Sequence, residues 1–125
     1  MIKFFSSFIV FCTLTLTNAA FSSEHTKDTE AEIKKNLADG SAILLDVRET
    51  SEWDAGHLSQ AINVPLPVLK AGNGTSNLPK DKILYLHCQS GRRVLPAADL
   101  LKTAGFDNVR ALPWGYPKLV EMKFP

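Results

Sequence analysis

Ile83-Leu84-Tyr85-Leu86-His87, running straight into Cys88-Gln89-Ser90-Gly91-Arg92-Arg93, decides the fold. The first five residues form a short apolar run of the kind buried on both faces of a parallel sheet. Gly91 lets the chain turn tightly after it. From about Arg93 to Ala104 the residues Leu95, Ala98 and Leu101 recur at helical spacing, and Gly105 closes the helix. Pro96 is tolerated because it lies in the first turn.

Reading outward, the same alternation repeats. Thr29-Glu30-Ala31-Glu32 is a capping box, and Ile33 and Leu37 share one helical face. Glu30 and Lys34 pair on the exposed side, and Gly40 ends that helix. Ile43-Leu44-Leu45 is a second buried-strand run, leading into Asp46-Val47-Arg48. Ser51 to Ala55 predicts one helical turn closed by Gly56, and Ala61 to Val64 a short strand stopped by Pro65. Pro67 to Ala71 starts a helix, Gly72 to Asn77 is a loop, and Val109 to Leu112 is a last strand. The tail carries Trp114-Gly115-Tyr116-Pro117 and a short helical stretch. Strands alternating with helices specify an α/β domain with a parallel sheet. Residues 20–28 are polar and without period, which predicts a loose segment. His25 within it suggests no role.

The chain has 125 residues, 45% hydrophobic and 22% charged, with seven Gly and seven Pro. That fits one compact domain and excludes a disordered, collagen-like or disulfide-dense chain. A net charge of +1 gives no footprint for nucleic acid. Two Cys are too few for a four-ligand zinc site unless His supplied the rest, so neither metal nor cofactor is expected. Charge is nearly absent from the first twenty residues. Met1 to Lys3 form a basic start, Phe4 to Leu16 an apolar run, and Thr17-Asn18-Ala19 a small-residue cleavage site. This predicts a signal peptide over 1–19, a domain over 20–125 and an exported, periplasmic product. Phe4 to Leu16 is shorter than the roughly 20 residues of a membrane span, so no stable anchor is expected after cleavage. Removal of Lys3 leaves basic and acidic residues balanced, and removal of Cys12 leaves Cys88 alone. A lone cysteine in an oxidising compartment is either buried and inert or kept for its reactivity.

The segment around Cys88 favours reactivity. Cys88 follows the carboxyl end of a buried strand, the edge where open α/β sheets bind ligands. The residues after it curl into a helix start, whose backbone N–H groups lack intrahelical partners and converge on an anion. A helix N-terminus also favours a thiolate. Arg92 and Arg93 oppose the usual preference for acidic residues in a first turn, and a bound anion accounts for that conflict. The plainer reading is a structural cysteine with two solvated arginines.

Leu45-Asp46-Val47-Arg48-Glu49, Glu52-Trp53, Gly56-His57-Leu58 and Ala61-Ile62-Asn63-Val64-Pro65 resemble the front half of a rhodanese domain. Cys88 to Arg93 resembles its active-site loop. The likeness runs from about Ile43 to Tyr116. With the leader and one small domain, the chain is similar to exported single-domain thiosulfate sulfurtransferases. The resemblance implies a rhodanese-like fold, with four or five mostly parallel strands flanked by helices and a core over about 29–120. It implies an enzyme in which Cys88 takes a sulfane sulfur from thiosulfate or a similar donor, and a thiophilic acceptor then removes it. Partners would be a small sulfur-containing anion and a thiophilic acceptor, either a small molecule such as cyanide or a protein thiol. The N–H groups from Gln89, Ser90 and Gly91 through Arg92 and Arg93 would cradle the persulfide. Arg93 matches a basic family position and would bind substrate oxygens, Arg92 would raise the local potential, and Arg48 takes a weaker site role. Asp46 and His57 match positions that brace loops. His87 has two readings, a base for Cys88 or a packed strand-end histidine. Trp114 stands where a Gly-Gly pair is frequent, which implies that it walls the pocket.

Two other functions compete. Related domains act as phosphatases through Cys, five residues, then Arg. Here Val94 occupies that last position, so the oxyanion donors would be misplaced. A non-turnover sulfur carrier or protein-binding module using the same Cys88 loop is the other alternative.

Overall fold

The computed structural model describes residues 22–125, so the leader reading of residues 1–19 lies outside the described residues. Helix α1 spans Glu30–Ala38 and begins with the expected capping box, Thr29 and Glu32 bonding each other's backbone N–H. Strand β1 is Ala42–Asp46, helix α2 Thr50–Ala55, strand β2 Ala61–Asn63 and helix α3 Leu66–Lys70. Strand β3 is Ile83–His87, helix α4 Val94–Thr103, strand β4 Val109–Ala111 and helix α5 Tyr116–Glu121. All strand pairings are parallel, in the order β2-β1-β3-β4. The central pair is in register from Ala42 opposite Ile83 to Asp46 opposite His87.

Both faces of the sheet are covered, which is why the central strands read as continuous apolar runs. On one face Leu45, Val47, Leu84, Leu86 and Cys88 pack against Leu66 and Leu69 of α3 and Val94, Ala97 and Leu101 of α4. On the other, Leu44 and Tyr85 pack against Ile33 and Leu37 of α1 and Leu119 of α5. Side chains alternate across a strand, so Cys88 falls on the α4 face. Tyr85 is fully buried on the α1 face, where its hydroxyl donates to Asp28 at 2.7 Å and accepts from Asn36 at 3.0 Å. A buried phenol needs such partners.

The N-terminal segment is not loose as expected. Thr26 N–H donates to the Ala111 carbonyl at 2.7 Å, and His25 forms a single parallel bridge beside Ala111. The Ser23 backbone N–H and hydroxyl donate to Asp99 on α4 at 2.9 and 2.6 Å, and Lys102 donates to the Ser23 hydroxyl. Among the described residues the sheet has four strands, and the strap adds only one bridge on the outer edge of β4. Every partner of this strap is distant in sequence, so neither period nor propensity marks it.

Candidate active site

Strand β3 ends at His87 and helix α4 begins at Val94, leaving residues 88–93 as the connecting loop. The helix start is bare: Arg93 at the N-cap has helical backbone angles and makes no side-chain cap. Gly91 N–H donates to Cys88 Sγ at 3.2 Å. Among the described residues, no protein carbonyl accepts from the N–H groups of Gln89, Ser90, Arg92 or Arg93. Donors of this kind at a helix start suit an anion. Cys88 itself is fully buried and the one free cysteine among the described residues, so the thiol lies beneath its loop.

Residues 113–116 hold the loop from outside. Tyr116 N–H donates to the Cys88 carbonyl at 2.9 Å. A Cβ on Gly115 would lie 2.0 Å from the Gln89 carbonyl oxygen, so only glycine allows that approach. Gly91 sits at φ 84°, in the left-handed region, and a Cβ there would meet the Pro113 oxygen at 2.9 Å. On the same side of the loop, His25 Nε2 lies 2.6 Å from the Gly91 carbonyl oxygen.

The predicted residues divide in three. Arg48 is buried, donating through Nε and NH2 to Asp46, through NH2 to the Gly56 carbonyl at 2.8 Å, and through NH1 to Gln89 Oε1 at 3.3 Å. It thus ties the end of β1 to α2 and to the loop. Its guanidinium also stacks 4.1 Å over the Tyr116 ring. Arg93 is engaged: it grips both oxygens of Glu52 on α2 at 2.6 and 2.9 Å. Arg93, which the family resemblance assigned to substrate oxygens, thus carries an ion pair to α2. That pairing holds the Glu52 carboxyl down at about 2, with the Arg93 hydrogen bonds as the largest cause. Gln89, Ser90 and Arg92 are exposed on the loop.

His87 has the plainer of its two roles. Strand alternation turns its ring to the face opposite the thiol, toward Asp46 Oδ2 at 3.5 Å and the Tyr116 ring. Burial pushes its pKa down despite the nearby Asp46. The ring is neutral at pH 7 and makes no hydrogen bond to Sγ. Asp46 braces its loop by accepting from Arg48, and His57 does so by contacting the Trp53 carbonyl at 2.8 Å and stacking on the Trp53 ring. Val94 is fully buried in the core, so an apolar side chain fills the position where a phosphatase loop would carry arginine.

An open cleft of about 370 Å³ lies beside the loop, lined by Arg48, Glu52, Ala55, Gly56, Gln89 and Tyr116. Trp114 is not in it. Trp114 packs toward Phe124 beneath the sheet, with ring centroids 6.4 Å apart, and Tyr116 takes the wall position instead. Sequence reasoning therefore missed Glu52, Gly115, Tyr116 and His25 as site residues. Glu52 lay in a quoted motif, but nothing local revealed its partner 41 residues away.

The sequence matches the rhodanese-like domain over residues 29–122. The chain belongs to the rhodanese-like domain family. Rhodanese-like domain-containing protein 17 of Arabidopsis thaliana is 30% identical over 137 aligned residues, covering 98% of this chain and 86% of that protein. "Probable adenylyltransferase/sulfurtransferase MoeZ" of Mycobacterium tuberculosis is 32% identical over 106 residues, 84% of this chain. This chain spans only 27% of MoeZ's length. The solved structure of the human single-domain sulfurtransferase TSTD1 is 28% identical, with a TM-score of 0.65 over 76% of this chain and 95% of that one. Rhodanese-like relatives of this chain thus include proteins described as sulfurtransferases, one of them a single domain of similar extent. The family match begins at residue 29, so the strap that carries His25 lies outside it.

Proposed function

We propose that this rhodanese-like domain is a sulfurtransferase that moves a sulfane sulfur from thiosulfate, or a similar donor, to a thiophilic acceptor through a persulfide on Cys88. The observation that carries the reading is the Gly91 N–H aimed at Cys88 Sγ within a loop whose other N–H groups have no acceptor among the described residues. Donors fixed before the reaction stabilise a thiolate and then the persulfide anion without reorganising. The Cys88 thiolate attacks the outer sulfur of thiosulfate. The sulfur–sulfur bond of the donor breaks, and sulfite leaves with its electron pair. A nucleophilic acceptor then attacks the terminal sulfur of the persulfide and departs with it, thiocyanate in the case of cyanide. The Cys88 thiolate returns, and no outside oxidant or reductant is consumed.

The cleft beside the loop has room for a small donor, and Arg48 at its base keeps Gln89 in place. The sulfur is delivered to a thiol that is fully buried at rest. The proposed setting is outside the cytoplasm, after loss of residues 1–19. An exported product whose intact mass still contained those residues would contradict the cleavage. For the activity, the test is steady-state turnover of thiosulfate and cyanide by the wild type and by Cys88→Ser. Turnover in the wild type and none in the folded variant is expected. Equal turnover in both would remove Cys88 from the reaction.

A further inference from the structure

We infer that His25, on the strap preceding the family domain, is a positioning residue that sets the orientation of the Gly91–Arg92 peptide in the Cys88 loop. The inference rests on the sulfurtransferase reading in that it concerns the same loop, and it adds a residue from outside the family match.

The strap is fixed at three places. Ser23 is tied to Asp99 on α4, Thr26 N–H bonds the Ala111 carbonyl on β4, and His25 reaches the loop between them. The His25 Nε2 to Gly91 O distance of 2.6 Å is short. A carbonyl oxygen only accepts, so the bond requires the proton on Nε2. The Gly91 carbonyl has a particular need for a fixed partner. Glycine has no Cβ to restrain the rotation of the peptide that follows it, and Gly91 already sits at φ 84°. The peptide plane is rigid and trans, so the Arg92 N–H points opposite to the Gly91 carbonyl. Holding the carbonyl toward His25 therefore holds the Arg92 N–H away from it. Gly91's own N–H, one peptide back, is the group that meets Cys88 Sγ. The strap thus fixes one of the cradle's donors and steadies its neighbour. His25 is exposed and touches neither thiol nor substrate in this arrangement, so its effect passes through the loop.

The test uses the full chain with His25→Ala, His25→Gln and His25→Phe. Gln retains a side-chain N–H donor, whereas Phe retains the bulk of the ring without one. The principal readout is the rate of Cys88 alkylation by iodoacetate divided by that by iodoacetamide. This ratio reports how well the loop receives an anion and needs no sulfur transfer. Loss of one positioning hydrogen bond is expected to lower it about two- to tenfold. The ratio is expected to fall in Ala and Phe and to recover in Gln, with unfolding midpoints close to the wild type. The same order is expected in kcat for thiosulfate and cyanide, with little change in KM for cyanide. An unchanged ratio in Ala, or a ratio restored by Phe and not by Gln, would overturn the inference. If the wild type fails to turn over thiosulfate while the alkylation ratio shifts as stated, the sulfurtransferase reading falls and the positioning role of His25 stands.

Discussion

Glu52→Gln probes the clamp between α2 and the Cys88 loop. Gln keeps an oxygen for the Glu49 N–H, so the start of α2 stays capped. What disappears is the charge facing Arg93. In the folded protein the Glu52 carboxyl is held at about 2, below its ordinary 4.5. Taken at full value that depression corresponds to about 3 kcal/mol. The two side chains are 29% and 30% exposed, and solvent-screened pairs of this kind return about 1 kcal/mol at most. We therefore expect a loss of about 1 kcal/mol at pH 7, or a midpoint lowered by roughly 4–8 °C for a domain of this size. The folded pKa lies below the unfolded one, so the contribution is complete above about pH 5 and is lost as pH falls toward about 2. Thermal unfolding of both proteins by circular dichroism across that range measures it. The expected curves are separated at pH 7 and converge at the acid end. Coincident curves at every pH would show that the Arg93–Glu52 pair contributes nothing to holding the loop.

Three further outcomes follow from the same geometry. Gly115→Ala places a methyl 2.0 Å from the Gln89 carbonyl oxygen; we expect about 1–3 kcal/mol of destabilisation in denaturant titration, together with loss of turnover. Asp46→Asn removes the counter-charge of Arg48, which is 2% exposed, and is expected to cost about 3–5 kcal/mol in the same titration. Arg93→Ala is expected to lower kcat/KM for thiosulfate about ten- to a hundredfold, and more than Arg92→Ala. It removes a charge beside the loop and also leaves the Glu52 carboxylate unneutralised there. Equal losses that vanish in high salt would reduce both arginines to a general field.

Local signals carried most of the fold into view. The Thr29/Glu32 capping box, the apolar runs at 43–45 and 83–87, and the helix after Arg93 all rest on neighbours within a few residues, and each is present. The strap was misread for the opposite reason. Ser23, His25 and Thr26 are polar residues without period, and their partners Asp99, Gly91 and Ala111 lie 66 or more residues away. The site was legible at its centre, because a cysteine between a buried strand and a helix start has a local signature. Its periphery was not. Arg93 had no visible reason to choose Glu52, and the bulk of Trp114 suggested a wall that Tyr116 supplies. For His87, strand alternation turns the ring to the face away from Cys88, which decides between its two readings.

The most direct test of the central claim is the mass of the protein after exposure to stoichiometric thiosulfate, followed by cyanide. The account predicts a gain of one sulfur atom, mapped by peptide analysis to Cys88, with release of one equivalent of sulfite. It predicts loss of that gain on adding cyanide, as thiocyanate forms. An unmodified protein that still produced thiocyanate, or a sulfur located anywhere other than Cys88, would contradict it.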